Sequence, residues 1–212
     1  MADLTEQQSS LFVKLTGTDL TGAETNPVDA PTSAPALSAA GLVVRPLPFE
    51  SITYSAAAVN FILAAASTDV FMISGSATKT IKITLVAITM TTTSGSPLKV
   101  SPQLIKRSTL NTGASVAVTN VPHDSLSAAA TASVKNYVVN PTLLGTAIGT
   151  LRVENISVNM QGVLGGAAMW KFTEIGEQPI VLRGVNENLV INLGGATVTG
   201  PVASAYVEWT EV

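Results

Sequence analysis

The side chain with the widest chemical range in this 212-residue sequence is its single histidine, His123, in Val121-Pro122-His123-Asp124-Ser125. A Ser-His-Asp relay needs an imidazole held by a carboxylate and turned toward a nucleophile. Adjacent His and Asp in a proline-containing loop suit a turn or a contact surface instead. With one histidine and no cysteine, a transition-metal site would rest on carboxylates, and no Asp-rich loop has calcium-binding spacing. The nearest acidic pairs are Glu174 with Glu177 and Glu208 with Glu211. A glycosidase needs two carboxylates facing each other across a cleft, and these pairs read as solvated strand ends.

Other chemistry is equally sparse. The sequence has no Walker loop, no G-x-G-x-x-G and no G-x-S-x-G, and Gly162 to Gly166 is a small-residue turn. Asn155-Ile156-Ser157 matches a glycosylation sequon by chance. Of the aromatics, Trp170, Trp209, Phe172 and Phe71 fall in strand-like runs where core packing is expected. No catalytic, cofactor-binding or metal-ligating residue is assigned, no cofactor is implied, and a non-enzymatic protein is expected.

Charge is the feature that stands out. Only 12% of residues are Asp, Glu, Lys or Arg, against about 25% in an average soluble domain. Part of the surface is therefore expected to be buried on other chains. The net charge of -3, with 11 Lys and Arg scattered singly, leaves no basic stripe to follow phosphates, so nucleic acid is not expected as a direct partner. The charge-free run Ser51–Thr68 contains Ser51, Thr53, Ser55, Asn60, Ser67 and Thr68 and is too polar to span a bilayer. No basic region precedes an apolar stretch at the start, so the chain is expected to stay where it is made.

The elements that would carry any function are strands. Thr80 to Leu85 alternates and Val86 to Met90 resumes with shifted parity, as a bulge or a strand buried on both faces would read. Further strands are expected at Ala58–Ala65, Asp69–Ser74, Leu98–Arg107, Lys135–Val139, Gly149–Val158, Ala168–Thr173, Ile180–Arg183, Leu189–Leu193 and around Ala205–Thr210. Ser94-Gly95-Ser96-Pro97, Asn111-Thr112-Gly113, Gly165-Gly166 and Gly194-Gly195 mark turns. Eight to ten such strands predict an all-β, antiparallel β-sandwich of jelly-roll type over residues 48–212.

Residues 1–47 read as an extended N-terminal arm. Proline blocks helix at Pro27, Pro31 and Pro35 and pushes its predecessors toward extended backbone. Leu11, Phe12, Val13 and Leu15 form a short apolar run, either a first strand of the domain or an anchor. The interface residues expected on the arm are Leu11, Phe12, Val13, Leu15, Pro27, Val28, Pro31 and Pro35.

Leu104-Ile105-Lys106-Arg107-Ser108-Thr109, then Val121 to Ser125, Asn140-Pro141-Thr142 and Leu144-Gly145, form a pattern that resembles tailed-bacteriophage virion structural proteins. Gln178 to Gly184 and Val207 to Glu211 resemble their closing strands, and Ser10 to Gly17 resembles an opening found in such proteins. The resemblance implies a jelly-roll-like body that decorates or cements a capsid, with major capsid protein as partner and the virion surface as location. A homo-oligomer is expected with it, a trimer by preference, and neither nucleic acid nor membrane as partner. The alternatives are a tail, neck, baseplate or fibre component that binds a host glycan and, last, a capsular depolymerase.

Overall fold

The structure, a computed structural model, describes residues 51–92, 98–158, 166–173, 177–197 and 202–212. The expected boundary between residues 47 and 48 and all eight arm residues, Leu11, Phe12, Val13, Leu15, Pro27, Val28, Pro31 and Pro35, lie outside them.

Fourteen strands follow in chain order: β1 (Thr53–Ile62), β2 (Ala66–Ser74), β3 (Ile81–Thr91), β4 (Leu98–Val100), β5 (Gln103–Arg107), β6 (Val116–Ala117) and β7 (Asn120–Pro122), then β8 (Ser133–Asn136), β9 (Ala147–Val153), β10 (Ile156–Val158), β11 (Gly166–Lys171), β12 (Ile180–Leu182), β13 (Asn188–Thr197) and β14 (Val202–Glu211). All pairings between them are antiparallel.

Eight of these strands make a jelly roll. One sheet runs β11-β3-β14-β1 and the other β2-β13-β5-β9. Counting only these eight from first to last, first pairs with eighth, second with seventh, third with sixth and fourth with fifth. That is the pattern of one long hairpin rolled up on itself, which closes two sheets over one core. The inner faces meet in a single cluster: Ile81, Ile83, Val86, Ile88, Val207 and Trp209 from the first sheet with Phe71, Ile73, Leu104, Leu189 and Ile191 from the second. Trp170, Trp209, Phe172 and Phe71 are all buried in it, as the strand periodicity predicts.

The parity shift in β3 is a bulge. Glu208 pairs with Leu85 and Trp209 with Ile83, so Thr84 is the extra residue, and its carbonyl accepts from Phe172 N at 2.8 Å. The turn expected at Gly194-Gly195 is corrected: β13 continues through both glycines, and between Asn192 and Ala196 it bulges against β2. Both have positive φ, 67° and 76°, a region glycine enters without steric penalty. Two expected strands break, Leu98–Arg107 into β4 and β5 and Gly149–Val158 into β9 and β10.

Of the six other strands, β4 pairs with β10 and β12 with β3, and β6, β7 and β8 come from one long connection between β5 and β9. Within it, β8 pairs with β2 and β6 with β8, extending the second sheet, and β7 pairs with β1, extending the first. The chain thus crosses from sheet to sheet between Ala117 and Asn120 and covers the edges that β1 and β2 would otherwise leave open, where unpaired strands invite foreign pairing.

Candidate functional site

The connection between β5 and β9 also lies on the outer face of the second sheet, where Met72, Val190 and Tyr137 pack with Ile105 and Leu110. It is pinned by a charged network. Asp69 on β2 accepts from Arg107 at the end of β5 (2.8 Å), Asn192 Nδ2 on β13 (2.7 Å) and Asn111 Nδ2 (3.1 Å). Tyr137 Oη donates to Asn111 Oδ1 at 2.5 Å, and Arg107 also donates to the Gly145 carbonyl at 3.2 Å. Three donors satisfy a carboxylate whose side chain is shut off from solvent, which is what a buried charge requires. Burial pushes the Tyr137 phenol up to about 12, with the Asp69 charge adding and the Asn111 bond opposing. The network joins β2, β5, β13 and both ends of the connection, so its role is to fix their mutual placement. Sequence reasoning missed it. The available signal was two opposite charges, Asp69 and Arg107, inside strand-like runs of a charge-poor chain.

A second carboxylate holds the crossing segment. Glu211 at the end of β14 accepts from Thr131 N (2.9 Å), Ala132 N (3.0 Å), Thr131 Oγ1 (2.7 Å) and Trp209 Nε1 (3.0 Å). Nearby, Tyr54 stacks on Trp209 with ring centroids 5.8 Å apart and donates to the Ala128 carbonyl. Burial alone would raise the Glu211 carboxyl, but the bonds from Trp209, Ala132 and Thr131 outweigh it and hold it below the usual carboxylate range. The expectation of a solvated Glu211 is therefore corrected. The alternation that buries Ala205, Val207 and Trp209 also carries Glu211 inward.

The other sequence candidates are scattered. His123 N donates to the Thr53 carbonyl and Asp124 Oδ1 accepts from Leu126 N, so this stretch is a turn whose carboxylate caps its own backbone. Glu177 pairs with Arg152 at 2.9 Å on the surface, and Glu174 lies outside the described residues. Asn155 Oδ1 accepts from Ser101 Oγ. Among the described residues, no three His, Asp or Glu gather as metal ligands, and no helix is long and apolar enough to cross a membrane.

What remains is the outer face of the first sheet. Unlike the second sheet's, it is bare among the described residues. Its rows follow from register: Ala57, Tyr206, Ala87 and Met169 lie side by side across β1, β14, β3 and β11, and Ser55, Glu208, Leu85 and Lys171 form the next row. The small side chains beside Tyr206 leave a shallow depression bordered by Ala57, Val59, Ala87, Thr89 and Ser204. Tyr206 Oη donates to Glu208 Oε1. Burial first, then Glu208, pushes that phenol up to about 12. The arrangement offers contact area, with the Tyr206 and Glu208 side chains bonded to each other beside it.

Compared with known proteins, the chain matches no family model, no curated protein and no solved structure.

Proposed function

We propose that this chain is a non-enzymatic structural protein of a virion, a capsid decoration or cement protein. Its sandwich body would lie against the shell, and its N-terminal arm would bind major capsid protein and neighbouring copies. The observation that carries the reading is a chain with 12% charged residues whose own connection packs over Met72 and Val190 on one outer sheet face, while among the described residues the other face exposes Val59, Ile62 and Met169. Unscreened apolar area of that kind marks an interaction surface. Affinity then comes from many repeated contacts, each ordinary in size, combined by the symmetry of a shell.

A glycan-binding fibre tip would call for exposed rings. Among the described residues, Tyr54, Phe61, Phe71, Tyr137, Trp170, Phe172 and Trp209 are buried and Tyr206 is half-buried, so that reading gains nothing. Deleting residues 2–40 tests the proposal. The truncated chain is expected to keep its strand signature in circular dichroism and to be missing from purified particles, whereas full incorporation of the truncated chain would reject the role of the arm.

A further inference from the structure

A sheet edge is an open row of main-chain donors and acceptors, and most edges of this fold are blunted. β9 carries two register shifts against β5, and β1 shifts between Ala58 and Phe61, with Asn60 at a φ of 50°. β7 ends on Pro122, β6 has only two residues, β4 and β10 have three each, and the Val181 carbonyl on β12 accepts from Lys106 Nζ at 2.8 Å. β11 is different. It is the last strand of the first sheet, and its register on β3 runs without a shift from Gly166 against Met90 to Lys171 against Leu85. Phe172 N donates to the Thr84 carbonyl, so by antiparallel alternation the even-numbered residues bond β3. Ala167, Met169 and Lys171 turn their amides and carbonyls to the open side, where no described strand pairs with them. β10 touches β11 from the core side, where a Cβ on Gly166 would meet Ile156, Ser157 and Val158.

We propose that this open edge takes β11 of a second copy of the chain, antiparallel about a two-fold axis at Met169, so that the first sheets of the two copies become one. The main-chain row calls for an extended strand, and the side chains of β11 select β11 itself. With Met169 facing its own mate, Ala167 lies opposite Lys171 and Ala168 opposite Trp170. Each large side chain then meets a small one, on the exposed face of Ala167 and Lys171 and on the buried face of Ala168 and Trp170 alike. The open residues also coincide in this register, Ala167 with Lys171 and Met169 with Met169, and give about six main-chain bonds. A strand with a large residue opposite Trp170 or a cation opposite Lys171 would fit worse. Lys171 and its mate stand roughly 14 Å apart along the strand, beyond the screening length of about 8 Å at physiological salt. Such pairing is isologous and closes on itself.

The inference goes beyond the decoration role and stands without it, because it is read from mass in solution and not from particles. Sedimentation equilibrium of the full chain is expected to give twice the chain mass or a higher even multiple. Met169→Pro removes an amide that faces the open side and not β3, a place where edge strands accept proline. It is expected to give the mass of one chain with an unchanged far-ultraviolet spectrum. Ala167→Lys sets like charges opposite each other and is expected to weaken the association several-fold, whereas Ala167→Glu, which sets a carboxylate opposite Lys171 of the other copy, is expected to tighten it. Those opposite shifts report the register and keep the test valid if Met169→Pro fails to fold. A wild-type chain that sediments singly or as an odd multiple would overturn the proposal. So would an oligomer that persists in folded Met169→Pro, or one on which the two Ala167 variants act alike.

Discussion

Asp69 on β2 and Arg107 at the end of β5 form a 2.8 Å ion pair whose side chains are 0% and 5% exposed. The pair lies beneath the connection that closes the second sheet, and Asn111 and Asn192 supply the carboxylate's other bonds. Removing one member leaves the other buried without a counter-charge. Asp69→Ala is therefore expected to destabilise the fold by about 3–5 kcal/mol, measured by urea unfolding. Asp69→Ala combined with Arg107→Met should cost less than the sum of the two single changes. A loss under about 1 kcal/mol for Asp69→Ala would mean that the network does not hold the connection.

Glu211 gives the fold an acid-sensitive fastening. Its carboxyl is held below the ordinary value of about 4.3, so its stabilisation is complete above that pH and is lost as pH falls through the lowered folded value. Glu187 is shifted the same way: burial opposes, and the Arg183 amide and Lys106 outweigh it. Glu211→Gln is expected to remove about 1–3 kcal/mol at neutral pH and to speed amide exchange at Thr131 and Ala132. Unchanged exchange there would show that the segment is held by something else.

Alkali acts through the tyrosines. Tyr137 and Tyr206 ionise near 10 when unfolded and at about 12 when folded. Their contribution is complete below pH 10 and is lost as pH rises toward 12, because the unfolded chain releases protons that the folded chain keeps. Phenolate absorbance of the native protein should lag behind that of the urea-unfolded chain across this window. Coincident titrations would contradict the burial of both rings.

Gly194 and Gly195 carry β13 through its bulge at positive φ, where a Cβ costs about 1–2 kcal/mol. Alanine at either is expected to lower the unfolding midpoint. Gly149→Ala on β9, where a Cβ would meet no atom within 4 Å, should change it little. Gly75→Ala is expected to be the most damaging, since its Cβ would collide with the Gly184 carbonyl oxygen.

Strand periodicity made the sandwich legible, because period-two burial follows from backbone geometry alone. The shift after Leu85 left a bulge or a strand buried on both faces open, and pairing with β14 makes it a bulge. What did not show was anything set by distant partners. Val116–Ala117 and Asn120–Pro122 are too short to carry a period, and they become strands only by pairing with β8 and β1. Gly194-Gly195 reads as a turn, but its neighbours on β2 hold it in a strand. Asp69 meets Arg107 38 residues away and Asn192 123 residues away, and no local pattern encodes such a meeting. The arm residues, from Leu11 to Pro35, lie outside the described part of the chain and stay an expectation of the sequence.

Copy number per particle, by quantitative mass spectrometry against the major capsid protein, tests the decoration role most directly. A ratio near one chain per capsid subunit is the expected result and places the chain on the shell. A few copies to a few dozen per particle would contradict the role and move the chain to the neck, tail or fibre.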